Sequence, residues 1–245
     1  MLLYQSYLFS VMLTVKERLA MNSGFCLSWN TSGNTISLAQ SAFLFSLSRR
    51  GNSISAIGIR KEACILSASL SELYFDGILM IGNNDTFSLS QQTPKKYLLP
   101  LYNFLKQYET GKLQLLLDDI FFSAPFPTVL PELNVSLGQS LCQQGIVDEI
   151  CHKNKILFPP NQSILLRTID YLKQLILCAA PISDQVSSLC YLLDSTGLWN
   201  RFFSRKDLAS ARQRLSEIDF LFPEHILKTI DCMDSAIVSE HFCAC

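Results

Sequence analysis

The cationic side chains of this chain fall into two clusters, and these are the residues whose types could do chemistry. Arg49, Arg50, Arg60 and Lys61 bracket a segment containing Ile54, Ile57 and Ile59. Basic and apolar side chains side by side suit an anionic lipid surface, where the cations meet phosphate and the apolar groups enter the interface. These four are the candidate lipid-binding residues. The second cluster, Arg201, Arg205, Lys206, Arg212 and Arg214, reads as the solvated face of a helix.

Catalytic chemistry has less to build on. His152, His225 and His241 stand without a nucleophile or acid at a working spacing. Asp118 and Asp119 are neighbours, and neighbouring residues on a helix point in different directions, so helix-end or solvated charges are expected. The ten glycines are scattered and form no phosphate-cradling loop. Nine cysteines, an odd number without a C-x-x-C pair, sit mostly in apolar helical runs and read as reduced, buried thiols. Cys142, Cys151 and His152 lack a fourth metal ligand. The expectation is a non-enzymatic protein with no metal and no cofactor.

Composition frames the partners. Hydrophobic residues make up 49% of the 245 residues and charged residues 17%, with a net charge of −1. Such a balance calls for a large core or an apolar surface facing a membrane or another chain. It gives no general attraction to nucleic acid. No run approaches the ~18 apolar residues of a membrane-spanning helix. Residues 1–34 read as an apolar leader and a flexible Asn/Ser/Thr/Gly linker, the cations Lys16 and Arg18 following the apolar stretch rather than preceding it. Residues 35–245 read as one domain.

The elements that must position these residues are mainly helical. Leu38, Ala42, Phe45 and Leu47 mark a helix stopped at Gly51. A second runs from Glu62 to Phe75 and stops at Gly77, with a hairpin of Ile78–Ile81 and Thr86–Leu89 after it. Pro94 to Gly111 and Lys112 to Ser123 give two more helices, and a proline-rich connection leads to Glu132–Gln143. Gly145 then opens a second hairpin turning at Lys153-Asn154, so the helix, glycine and hairpin order occurs twice. Helices from Asn161 to Leu177, Ser183 to Asp194, Lys206 to Phe220 and Glu224 to Ser239 follow. The expected class is mainly α, a helical domain with a four-helix core and two small β-hairpins.

Helix followed by hairpin is also the order of a winged-helix DNA reader. Such a reader needs basic side chains on the helix and the wing, and there is no Lys or Arg between Glu62 and Ser90.

Three blocks in order resemble the Golgi phosphoprotein 3 family. They are "SLSELYFDGILMI" with Glu72, Leu73, Gly77, Ile78 and Leu79; "LGQSLCQQGIVDE … KILFPP" with Leu137, Leu141, Gly145, Ile146 and Val147; and "SLCYLLDSTGLWNRFFS…ARQRLSEI". The similarity spans about Ser37 to Ile218. It implies a four-helix core, a cytoplasmic protein peripheral to membranes (the Golgi in eukaryotes), binding of phosphatidylinositol 4-phosphate, and binding of the cytosolic tails of membrane proteins. The family's pocket tryptophan and arginines fall at Ile57, Leu66, Pro131 and Asn134, so the pocket does not carry over residue by residue; Arg60 and Lys61 are the nearest substitutes.

The reading is a peripheral membrane adaptor binding anionic phospholipid, with phosphatidylinositol 4-phosphate as the implied headgroup. The alternative is a soluble protein-interaction module that has lost lipid binding, and the third is a winged-helix nucleic-acid binder. Homo-oligomerisation through a hairpin is expected; nucleic acid is not.

Overall fold

The computed structural model describes residues 27–28, 35–48, 51, 58–82, 86–108, 111–122, 129–153, 155–178, 182–218 and 228–235. The α-helices are α1 (Leu38–Ser46), α2 (Gly58–Phe75), α3 (Leu99–Lys106), α4 (Leu113–Phe122), α5 (Val129–Gln143), α6 (Gln162–Leu177), α7 (Asp184–Ser195) and α8 (Arg205–Glu217), with a further helical stretch at 228–235. The protein is mainly α with small antiparallel hairpins. No helix among the described residues is long and apolar enough to cross a membrane.

α1 is the centre of the core. All nine of its residues are buried, and it packs against α2, α5 and α7. Its start is locally encoded. Ser37 accepts from the Gln40 amide, and Gln40 Oε1 accepts from the Ser37 amide, a reciprocal cap. The same Gln40 donates through Nε2 to Ser140 on α5 at 2.9 Å, so one buried residue both starts α1 and ties it to a neighbour. A second tie comes from Glu72 of α2. Its carboxylate, 3% exposed, accepts from the Ala39 amide (2.9 Å), the Lys95 ammonium (2.9 Å) and the Tyr97 hydroxyl (2.6 Å). Full pairing of this kind is what allows a carboxylate to be buried.

The repeated motif has one geometry at both sites. Gly77 and Gly145 adopt φ +69° and +70°, in the left-handed region that glycine enters without a Cβ clash. The Gly77 amide donates to Tyr74 and the Ile78 amide to Leu73; the Gly145 amide donates to Cys142 and the Ile146 amide to Leu141. These are paired bonds that close a helix end. Each isoleucine carbonyl then receives the amide that closes the following hairpin, from Ser90 in one and Asn161 in the other. In the first hairpin, β3 (Leu79–Ile81) pairs with β4 (Phe87–Leu89), Met80 facing Ser88. In the second, β5 (Ile150–His152) pairs with β6 (Lys155–Leu157), Cys151 facing Ile156.

Several boundaries differ from expectation. α5 begins at Val129 rather than Glu132, because Pro131 falls in a first turn where its missing amide has no partner to lose. α2 extends back to Gly58. α3 ends at Lys106, five residues before Gly111; the chain tightens there, and Tyr108 donates its hydroxyl to Asp119 at 2.6 Å. α8 stops at Glu217, three residues short of Phe220. β1 (Leu27–Ser28), within the stretch read as linker, pairs antiparallel with β2 (Thr35–Ile36). The rest of residues 1–34, and the ends of the helix expected over Glu224–Ser239, lie outside the described residues.

Candidate functional site: a cationic cleft

A cleft of about 600 Å³ opens between α1, α2, α5 and the second hairpin. Its base is formed by buried Phe43, Leu47, Gly51, Lys61 and Phe158, and its rim by exposed Pro131, His152, Lys153, Lys155 and Ile156. Close packing sets the position of the hairpin. A Cβ built on Gly138 of α5 would stand 2.4 Å from the Phe158 ring, and one on Gly51 2.4 Å from the Pro159 nitrogen, so both glycines make room for the outgoing strand. Phe158 meets Phe43 edge-on, with ring centroids 6.0 Å apart and planes at 71°. An antiparallel bridge between Val147 and Pro160 fastens the hairpin's foot.

Lys61 is the unusual residue. It is 7% exposed, and among the described residues it makes no hydrogen bond and no ion pair. Its close partner is the Phe43 ring, 5.8 Å from Nζ to the centroid. Burial pushes its pKa below the ordinary lysine value, and the neighbouring charge of Glu62 acts in the opposite direction. No described carboxylate lines the cleft. Lys61, His152, Lys153 and Lys155 therefore line one space whose described lining holds no carboxylate, and such a space attracts anions.

Of the two described residues among the four expected to bind lipid, Lys61 lines the cleft and Arg60 does not. Arg60 is exposed and its guanidinium lies beside Gly197 and Asn200, away from the cleft lining. One residue along a helix turns the side chain by about 100°, which separates two neighbours that the sequence placed together. Arg49 and Arg50 lie outside the described residues. His152, Lys153 and Lys155 complete the basic wall; Asp148 and Glu149 precede β5 and are not part of the lining. Their cross-strand register, His152 opposite Lys155, is the signal that could have joined them. Among the positions where the resemblance puts a lipid pocket, Pro131 and Asn134 line the cleft, Leu66 is fully buried, and Ile57 lies outside the described residues.

The other candidates resolve into structural roles. Arg201 donates to the Phe45 carbonyl (3.1 Å) and the Leu47 carbonyl (2.9 Å), capping the end of α1. Arg212 grips the Asp194 carboxylate with Nε and Nη2, and Arg214 lies 3.8 Å from Glu217. Arg205 and Lys206 are exposed. Asp118 accepts from Gln114 and Asp119 from Tyr108, so the two carboxylates serve separate partners. Cys64 is fully buried, its thiol pushed up to about 12 by burial while a bond with Thr196 acts the other way, and a thiol so held is no nucleophile. Six described cysteines are free, and no group of three or more potential metal ligands occurs among the described residues. His225 and His241 lie outside them.

No protein-family model and no curated protein matches this chain.

Proposed function

We propose that the protein is a non-enzymatic peripheral binder of anionic membrane lipid that acts as an adaptor, with the cleft holding a phosphate-bearing headgroup. The observation that carries this is the buried Lys61, without a hydrogen bond or ion pair among the described residues, at the base of a cleft whose rim adds His152, Lys153 and Lys155. Burying a cation without a partner is costly, and an anionic ligand removes that cost. The second hairpin also exposes Ile150 (48%) and Ile156 (41%) next to its lysines. That is the mixture of apolar and basic side chains used at a lipid interface.

The resemblance to the Golgi phosphoprotein 3 family supports the same reading and adds its finer terms: phosphatidylinositol 4-phosphate as headgroup, the cytosolic tails of membrane proteins as cargo, a cytoplasmic location on membranes, and self-association through a hairpin. The winged-helix alternative has little support in charge: no Lys or Arg occurs from Glu62 to Ser90, and the helix before the first hairpin carries only Arg60 and the buried Lys61, both in its first turn.

Co-sedimentation tests the reading. Vesicles of phosphatidylcholine alone should not pull down the protein. Vesicles with added phosphatidylglycerol or phosphatidylinositol 4-phosphate should, less so as salt rises. The Lys153→Glu/Lys155→Glu variant should lose this binding. No binding at low salt, or binding untouched by the double variant, overturns the assignment and favours a soluble interaction module.

A further inference from the structure

We propose that Lys61 is a nucleophilic amine that captures small aldehydes bearing an anionic group, its Nζ forming an imine with the carbonyl carbon while His152, Lys153 and Lys155 receive the anion. The proposal rests on the cleft being an anion site, and it assigns the buried lysine a covalent role in addition to an electrostatic one.

Two lysines of this chain show the contrast on which the argument stands. Lys95 is 45% exposed and is held by two carboxylates, Glu72 at 2.9 Å and Asp76 at 3.0 Å. Both stabilise its ammonium form and occupy its nitrogen. Lys61 is 7% exposed, has no carboxylate or carbonyl partner among the described residues, and rests against an aromatic face. It stands in a cleft large enough for a small molecule and lined at the base by Phe43, Leu47 and Phe158. A lysine desolvated in an apolar pocket beside other basic groups holds a larger neutral fraction than an exposed one, and that fraction is what attacks carbonyls. The direction of its pKa, lowered first by burial, agrees with the geometry. The rim supplies selection: three basic side chains steer and hold a phosphate or carboxylate, which brings the aldehyde end toward the base.

The step balances without an oxidant or reductant. The Nζ lone pair attacks the carbonyl carbon and forms the C–N bond, while the C=O π pair moves to oxygen. Nitrogen gives up its two protons in turn, the oxygen leaves as water, and the C=N bond forms. One aldehyde and one amine yield one imine and one water.

Borohydride trapping on the full-length protein tests this, with pyridoxal 5′-phosphate as the anionic aldehyde and pyridoxal as its phosphate-free control. Peptide mapping after reduction should find about one label per chain, on Lys61, with Lys95 unlabelled. Pyridoxal should label about tenfold less, the factor that one charge-assisted hydrogen bond supplies. Lys61→Arg should abolish the label. Since Lys61→Arg could perturb folding, the site map on the unaltered protein is the primary readout. Label concentrated on Lys153, Lys155 or the exposed lysines, or equal labelling by both aldehydes, overturns the proposal. Vesicle binding without any Lys61 adduct overturns the capture and leaves the lipid reading standing. An adduct on Lys61 in a protein that ignores anionic vesicles supports the capture and overturns the lipid reading alone.

Discussion

Gly138 and Phe158 pack so closely that a Cβ on Gly138 would lie 2.4–2.5 Å from three carbons of the Phe158 ring. Alanine is the better helix former by about 1 kcal/mol, so propensity alone favours Gly138→Ala. The clash decides otherwise. The ring is buried and cannot swing aside, and overpacking of this kind costs about 1–3 kcal/mol. Urea denaturation should show Gly138→Ala destabilised, and Phe158→Leu should recover part of the loss in the double variant. Additive losses would mean that the contact is not the cause.

Lys61→Met should make the protein more stable and a poorer binder. Replacing an unpaired buried cation by an apolar side chain of similar length should add about 1 kcal/mol, while binding to anionic vesicles falls. The pH dependence has a definite sign. Lys61 has a lowered pKa when folded and the ordinary value of 10.5 when unfolded. Between those two values the unfolded chain binds more protons, so stability gains with rising pH relative to Lys61→Met. Below the folded value the penalty is fully present. Denaturation curves of both proteins across neutral to alkaline pH would show the gap narrowing; a constant gap would contradict the burial effect.

Glu72→Ala should be among the most damaging changes in the chain. It strands the Ala39 amide at the start of α1 and the Tyr97 hydroxyl, and removes one of the two partners of Lys95. A loss of about 3 kcal/mol is expected. Lys95→Ala should cost less, because Lys95 is nearly half exposed and two donors to Glu72 remain. Thermal melts rank the two variants, and the reverse order would show that Lys95 holds the carboxylate in place.

Ile150→Ser/Ile156→Ser should leave the melting behaviour nearly unchanged, since both side chains already face solvent. Vesicle binding should fall about tenfold, as expected when apolar side chains no longer enter the interface. Equal binding by the double variant would confine the contact to charge.

Local chemistry was readable in advance and distant assembly was not. Gly77 and Gly145 announced helix ends because a left-handed residue leaves few alternatives to glycine, and the hairpins followed from alternation about short polar turns. Asn161 and Ser183 were readable as helix starts for the same reason, and each caps its helix with a side-chain oxygen. Pro131 misled, since a proline read as a connector is equally at home in a first turn. The cleft was hidden because its base joins Phe43, Lys61 and Phe158, residues that only the packing of α1, α2 and the second hairpin brings together. Arg60 and Lys61 looked like a pair for the opposite reason: adjacency along the chain is not adjacency on a helix.

The second hairpin has a further consequence. Both of its strands present their side chains to solvent except for half-buried Leu157, and two strands alone are barely stable in water. Among the described residues it is fastened at its foot, by Phe158, the Val147–Pro160 bridge and the backbone bonds of Asp148 to Pro159 and of Asn161 to Ile146. Its amides can therefore open to hydrogen exchange without the helical core unfolding, and at far lower cost. A ligand that joins Lys61 to Lys153 and Lys155 would close that opening. Exchange at Ile150–Leu157 should slow on binding while α1 keeps its own rate, so the hairpin serves as a built-in reporter of occupancy.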